Sequence, residues 1–135
     1  MNRVFILVLA LGWAVPAAAG DEEKGTPYTE VRDNIVLMDD MVRQLDKIIE
    51  KRGKRGHGRS MACLTEHRDA VDSLRGLAQA ERAKMVDAMA EGRTEEVEQA
   101  SVNVSLWTIK ARVHVEAVGE CPDERDDEAL KEDKD

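Results

Sequence analysis

Five residues of this chain could carry chemistry beyond simple charge: Cys63, Cys121, His57, His67 and His114. Cys63 and Cys121 are the only cysteines, and no C-x-x-C spacing is present. Neither has a thiolate-stabilising neighbour in sequence, so the expected chemistry is a structural disulfide rather than a redox-active pair. Their placement supports this. Cys63 lies 29 residues before Gly92 and Cys121 lies 29 residues after it. Two helical arms folding back at Gly92 would bring both cysteines to one height at the open end of a hairpin. Each arm is about 40 Å long at 1.5 Å per residue. A loop of this length gives a chain-entropy stabilisation of roughly 4 kcal/mol.

The histidines are weaker candidates. His57 falls in a glycine-rich loop, a poor place to fix a base. His67 and His114 lie on opposite arms, and reflection about Gly92 puts His114 near Ala70, one turn from His67. With Glu66 or Asp69 they could approach a divalent ion. No H-x-x-x-H or Cys/His cluster accompanies them, and zinc sites take three or four ligands, so solvent-facing histidines and no metal site are expected. Nucleophilic catalysis needs a Ser or Cys beside a positioned base. With the cysteines oxidised and the acids on solvated helix faces, the sequence predicts no catalytic residue, no cofactor and no enzymatic activity.

The elements that position these residues read as helices. Thr26-Pro27 is a helix start, Thr as cap and Pro in the first turn. Val31, Ile35, Met38, Val42, Leu45 and Ile49 follow at alternating spacings of four and three, one stripe of a helix over about 27–52. Leu37, Met41 and Ile48 widen it. Residues 51–59 contain three glycines and five Lys or Arg and no apolar residue, which predicts a flexible basic loop. Ser60 is the expected cap of a second helix with Leu64, Val71, Leu74, Ala78, Met85 and Ala88 inward. Glu81 interrupts that stripe, and Gly76 costs it about 1 kcal/mol relative to Ala. Gly92 suits the left-handed residue that ends a helix. Thr94 is the expected cap of a third helix, with Glu95 and Glu96 favoured by its dipole.

The third segment carries two signals. Val102, Val104, Leu106 and Thr108 alternate like a strand. Val97, Ala100, Val104, Trp107, Ala111, Val115 and Val118 fit a helical stripe over more than twenty residues, and length decides for the helix. Val102, Leu106, Ile109 and Val113 then form a second apolar face that the first helix or a partner must cover. The mirror about Gly92 sets Trp107 opposite Leu77 and Ala111 opposite Ser73, so Trp107 is expected inside the hairpin as a packing residue. The predicted fold class is all-α: a long antiparallel helical hairpin closed by one disulfide, plus an N-terminal helix, making a three-helix bundle.

Composition agrees. The 135 residues include 20 Lys or Arg and 28 Asp or Glu, with 3 % aromatics, so the core must be built from aliphatic side chains, Met and Ala. Arg3, the apolar run Val4 to Val15, Pro16 and Ala17-Ala18-Ala19 follow the order of a cleavable signal peptide over residues 1–19. The run is too short to span a bilayer as a helix. No cysteine stands at its end for a lipid anchor, so a soluble mature form without a transmembrane segment is expected. Arg3 is the only charge lost, which takes the formal charge from −8 to −9. Residues 20–26 form an acidic lead, 27–121 the helical domain, and 122–135 a tail. From Asp123 the tail holds eight acids and three bases and is expected to be disordered.

The signal, the apolar first helix, Cys63-Leu64 opening a long helix, the turn Ala90-Glu91-Gly92-Arg93 and the closing Val115-Glu116-Ala117-Val118-Gly119-Glu120-Cys121 together resemble small secreted bacterial two-cysteine helical proteins. The resemblance covers most of residues 27–121. It implies an exported helical hairpin with a disulfide and brings no activity with it. Leu64-Thr65-Glu66-His67 also partly resembles the L-T-x-x-Q motif of periplasmic helical stress chaperones and metal-responsive sensors, with His67 in place of Gln.

The function expected is therefore protein–protein interaction or structural support in the cell envelope, periplasmic or extracellular, through an unidentified protein partner or self-association. A periplasmic chaperone or metal-responsive stress protein is the alternative. The basic loop could meet anionic lipid or another polyanion. It lacks the interleaved aromatics that base stacking needs, and its ready counter-charge is the acidic tail.

Overall fold

The computed structural model describes residues 25–54 and 58–122. The signal segment, most of the acidic lead, His57 and the tail from Asp123 lie outside them. Within them the chain forms three long helices: α1 (Pro27–Gly53), α2 (Gly58–Ala90) and α3 (Thr94–Ala117). A single 3-10 turn, Val118–Glu120, then leads to Cys121. No strand occurs among the described residues. Each helix packs on the other two, so the predicted all-α three-helix bundle is the fold observed.

Start and stop signals explain most of the boundaries. The Thr26 hydroxyl accepts the Thr29 amide at 3.2 Å, with Pro27 in the first turn, as the sequence predicts. At the other end of the hairpin Gly92 has φ 72°. The Arg93 amide bonds Ala88 O at 2.8 Å and the Gly92 amide bonds Met89 O at 3.3 Å. These are the paired six-to-one and five-to-two bonds of a Schellman ending.

Two expected caps are not caps. Ser60 lies inside α2, buried, and its hydroxyl accepts from Arg52 Nη1 at 2.9 Å. Thr94 is already helical; the cap position falls on Arg93, without a capping side chain. The Schellman turn delivers the chain directly into α3 and leaves no extended residue for Thr94 to occupy. The basic loop is also shorter than expected, because residues 51–53 end α1 and 58–59 begin α2.

The core is one cluster. α1 supplies Val31, Ile35, Met38, Met41, Val42 and Leu45; α2 supplies Leu64, Val71, Ala78 and Met85; α3 supplies Ala100, Val104 and Ala111. Met41 joins the stripe as expected, whereas Leu37 is 40 % exposed. Glu81, at the break in the α2 stripe, accepts from Asn103 Nδ2 at 3.3 Å and meets Lys84 at 3.8 Å. A half-buried carboxylate is thereby paired rather than stranded. Thr108, buried on α3, returns its hydroxyl to Val104 O at 2.8 Å. The third segment is thus helical in spite of its strand-like alternation.

Candidate functional site at the open end of the hairpin

Cys63 sits in the second turn of α2, and Cys121 follows the 3-10 turn after α3. They are bonded, with 5.8 Å between their Cα atoms. The expected disulfide is present, at the end of the hairpin opposite Gly92. Leu64 and Val118, both buried, sit in the core beside these sulfurs in sequence. Packing and sulfur therefore fix the same end.

His67 is one helical turn beyond Cys63, on the same face of α2. His114 lies two turns before Cys121 on α3. The two rings meet: Nδ1 to Nδ1 is 3.0 Å, and the centroids are 5.3 Å apart with the planes tilted by 50°. Both are half-buried. This departs from the expectation of solvent-facing histidines. The mirror about Gly92 places them three residues apart in height, about 4.5 Å, and two imidazoles span that gap. A direct contact of this kind needs one nitrogen to carry a proton and the other to accept it. One ligand atom each from Cys63, His67 and Cys121 lie within 4.8 Å of one another. Three of the five residues singled out above thus form one close group, and His114 joins it through His67. Glu66 and Asp69, considered as helpers to the histidines, are exposed on α2.

A groove of about 340 Å³ adjoins the cluster, lined by Ala70, Ser73, Leu74, Lys110, Val113 and His114. It leads from His114 to the outer face of α3. Along that face Val102, Leu106, Ile109 and Val113 are 53–59 % exposed, so α1 does not cover the second apolar face. Trp107 is half-buried against the core, while Leu77, predicted to oppose it, is half-exposed. Reflection about Gly92 fixes the height of a residue but not the direction it points around its helix.

No helix among the described residues is long and apolar enough to cross a membrane. No protein-family model, curated protein or solved structure matches the chain. The functional reading therefore rests on the chain's own residues.

Proposed function

We propose that the chain is an exported, non-enzymatic protein of the cell envelope that acts by helix docking, and that it docks on a second copy of itself. The observation that carries this reading is the uncovered seam of α3. Val102, Leu106, Ile109 and Val113 stand at spacings of four, three and four, the repeat of a coiled-coil seam. All four are more than half exposed. Scattered exposed apolar residues are ordinary, but a continuous row is the mark of an interaction surface.

Charge supports an antiparallel, two-fold pairing. Exposed acids Glu95, Glu96 and Glu98 precede the seam at the N-terminal end of α3, and toward its C-terminal end the exposed bases Lys110 and Arg112 outnumber the one exposed acid, Glu116. In a parallel pair like charges would lie at equal heights. In an antiparallel pair each acidic end meets a basic one, and the same patch serves both copies. Export is supported by the signal-like order of residues 1–19 and by the intramolecular disulfide, a bond that persists in oxidising compartments.

Sedimentation at micromolar concentration tests the docking. The mature chain is expected to be a dimer, and Leu106→Glu with Ile109→Glu a monomer of equal helix content. Lys110→Glu with Arg112→Glu is expected to weaken the dimer, and adding Glu98→Lys to restore part of it. A wild-type monomer at every concentration tried overturns this reading. The intact mass of secreted material tests export, with cleavage expected just before Gly20.

A further inference from the structure

A structural disulfide needs no histidine beside it, yet two histidines meet each other within a turn or two of this one. We infer that Cys63, His67, His114 and Cys121 form a Cys2His2 site for a divalent metal of the zinc type when the disulfide is open. Metal and disulfide are then alternative occupants of one cluster.

The geometry carries the argument. Thiolate and imidazole are the donor pair that zinc-type ions select. Cys63 and His67 share one face of α2 at a spacing of four, and Cys121 and His114 come from the opposing arm. Ligand atoms of Cys63, His67 and Cys121 already lie within 4.8 Å of one another. The two imidazole nitrogens are 3.0 Å apart. Nitrogens bound to one tetrahedral ion at about 2.0–2.1 Å stand about 3.3 Å apart, so the two rings need part by only a few tenths of an ångström, while His114, which stands outside the 4.8 Å group and reaches it through His67, must turn toward the sulfurs to become the fourth ligand. The sulfurs must separate to about 3.8 Å, the tetrahedral edge for metal–sulfur bonds of about 2.3 Å. The buried Leu64 and Val118 hold the arms together meanwhile.

The chemistry balances. A dithiol reductant opens the bond by exchange: its two thiols become a disulfide, and Cys63 and Cys121 gain two electrons and two protons. The divalent ion then displaces those two protons. Two thiolates and two neutral imidazoles around it give a site of zero net charge, which suits a half-buried position. Oxidation removes both thiolates and with them half of the ligands.

Anaerobic titration of the phosphine-reduced mature chain with Co2+ is the test. The expected result is one ion per chain, thiolate-to-cobalt charge transfer, the intense visible bands of tetrahedral cobalt, and displacement by Zn2+. Loss of a supporting partner alone weakens metal sites about 10–100-fold. His67→Ala with His114→Ala, reduced, is therefore expected to lose more than about 100-fold in affinity together with the tetrahedral spectrum. Its fold is checked beforehand by circular dichroism with the disulfide intact. Equal binding by the histidine variant, or by the oxidised wild type, overturns the proposal. So does a reduced wild type that stays helical and binds no cobalt. If the reduced chain unfolds, recovery of helix on adding Zn2+ supports the site, and failure to recover overturns it.

Discussion

Arg75 on α2 reaches Asp39 on α1, with Nη1 3.1 Å from Oδ1. One heptad earlier on α2, and one later on α1, Arg68 Nε reaches Asp46 at 2.8 Å. The residue numbers in both pairs sum to 114, so the two bonds lie in one antiparallel register and pin α1 to the hairpin. Each arginine also meets Asp72. The hydrogen bond to Asp46, more than any other influence, raises the Arg68 pKa above its ordinary value. The Arg68 charge is kept at every pH below its unfolded value, so with its carboxylate partners ionised this contribution is constant across physiological pH; it fades in strong base as the pH rises through the raised value, and in acid when the carboxylates take up protons. Arg75 and Asp39 remain about one-third exposed, and water screens them. A double-mutant cycle with Arg75→Ala and Asp39→Ala is expected to give a coupling of about 0.5–1 kcal/mol by urea unfolding. The coupling should shrink in high salt, where the screening length becomes a few ångströms. Coupling indistinguishable from zero at low salt would mean that packing alone holds α1.

The disulfide is expected to contribute far more than any ion pair. Cys63 and Cys121 are separated by 58 residues, and closing a loop of that length restricts the unfolded chain by about 4 kcal/mol. Cys63→Ser with Cys121→Ser should lower stability by about that amount, measured in chelator so that no metal enters the comparison. Phosphine reduction of the wild type should give the same shift. Helix content in the folded baseline should be unchanged, because the three stripes pack without sulfur. A loss below about 1 kcal/mol would indicate that the unfolded chain is already compact at this end.

Gly76 and Gly92 should answer the same substitution with opposite signs. A Cβ at either position meets nothing within 4 Å, so sterics with neighbours drop out and only the backbone remains. Gly76 is in mid-helix, where Gly76→Ala is expected to stabilise by about 0.5–1 kcal/mol. Gly92 has φ 72°, and Gly92→Ala is expected to cost about 1–2 kcal/mol, with Gly92→Asn costing less. Thermal unfolding of the three variants under oxidising conditions decides the matter. A neutral Gly92→Ala would show that the turn relaxes to another ending.

Much of this architecture is legible in the sequence because it is periodic. Helical stripes on α1 and α3 repeat for six or seven positions each, and the two cysteines measure equal distances from one glycine. The third segment looks like a strand only over Val102–Thr108, too short a window to outweigh its full length. Two kinds of detail were hidden. Caps depend on whether the preceding residue is extended, which neither Ser60 nor Thr94 reveals alone; Ser60 serves Arg52 instead. Side-chain meetings depend on reach and on rotation about the helix axis. The mirror about Gly92 pairs Cys63 with Cys121 and Glu81 with Asn103 at the same sum of 184, whereas His67 and His114 sum to 181. The missed signal was the length of two imidazoles, enough to cross three residues of offset.

Two leucines separate the fold from the docking surface. Leu45 is 1 % exposed at the centre of the α1 stripe. Leu45→Ala removes buried methyl groups and leaves a cavity in a core shared by all three helices, at an expected cost of about 2–5 kcal/mol. Leu106 is more than half exposed on the α3 seam. With little burial to lose, Leu106→Ala should change the unfolding free energy of the monomer by no more than about 0.5 kcal/mol. In sedimentation the order should reverse: Leu106→Ala shifts the monomer–dimer balance toward monomer, and Leu45→Ala, under conditions where it remains folded, leaves that balance in place. Each leucine is thereby a control for the other. If Leu106→Ala destabilised the monomer as much as Leu45→Ala, the outer face of α3 would belong to the core, and no seam would be left for a second copy.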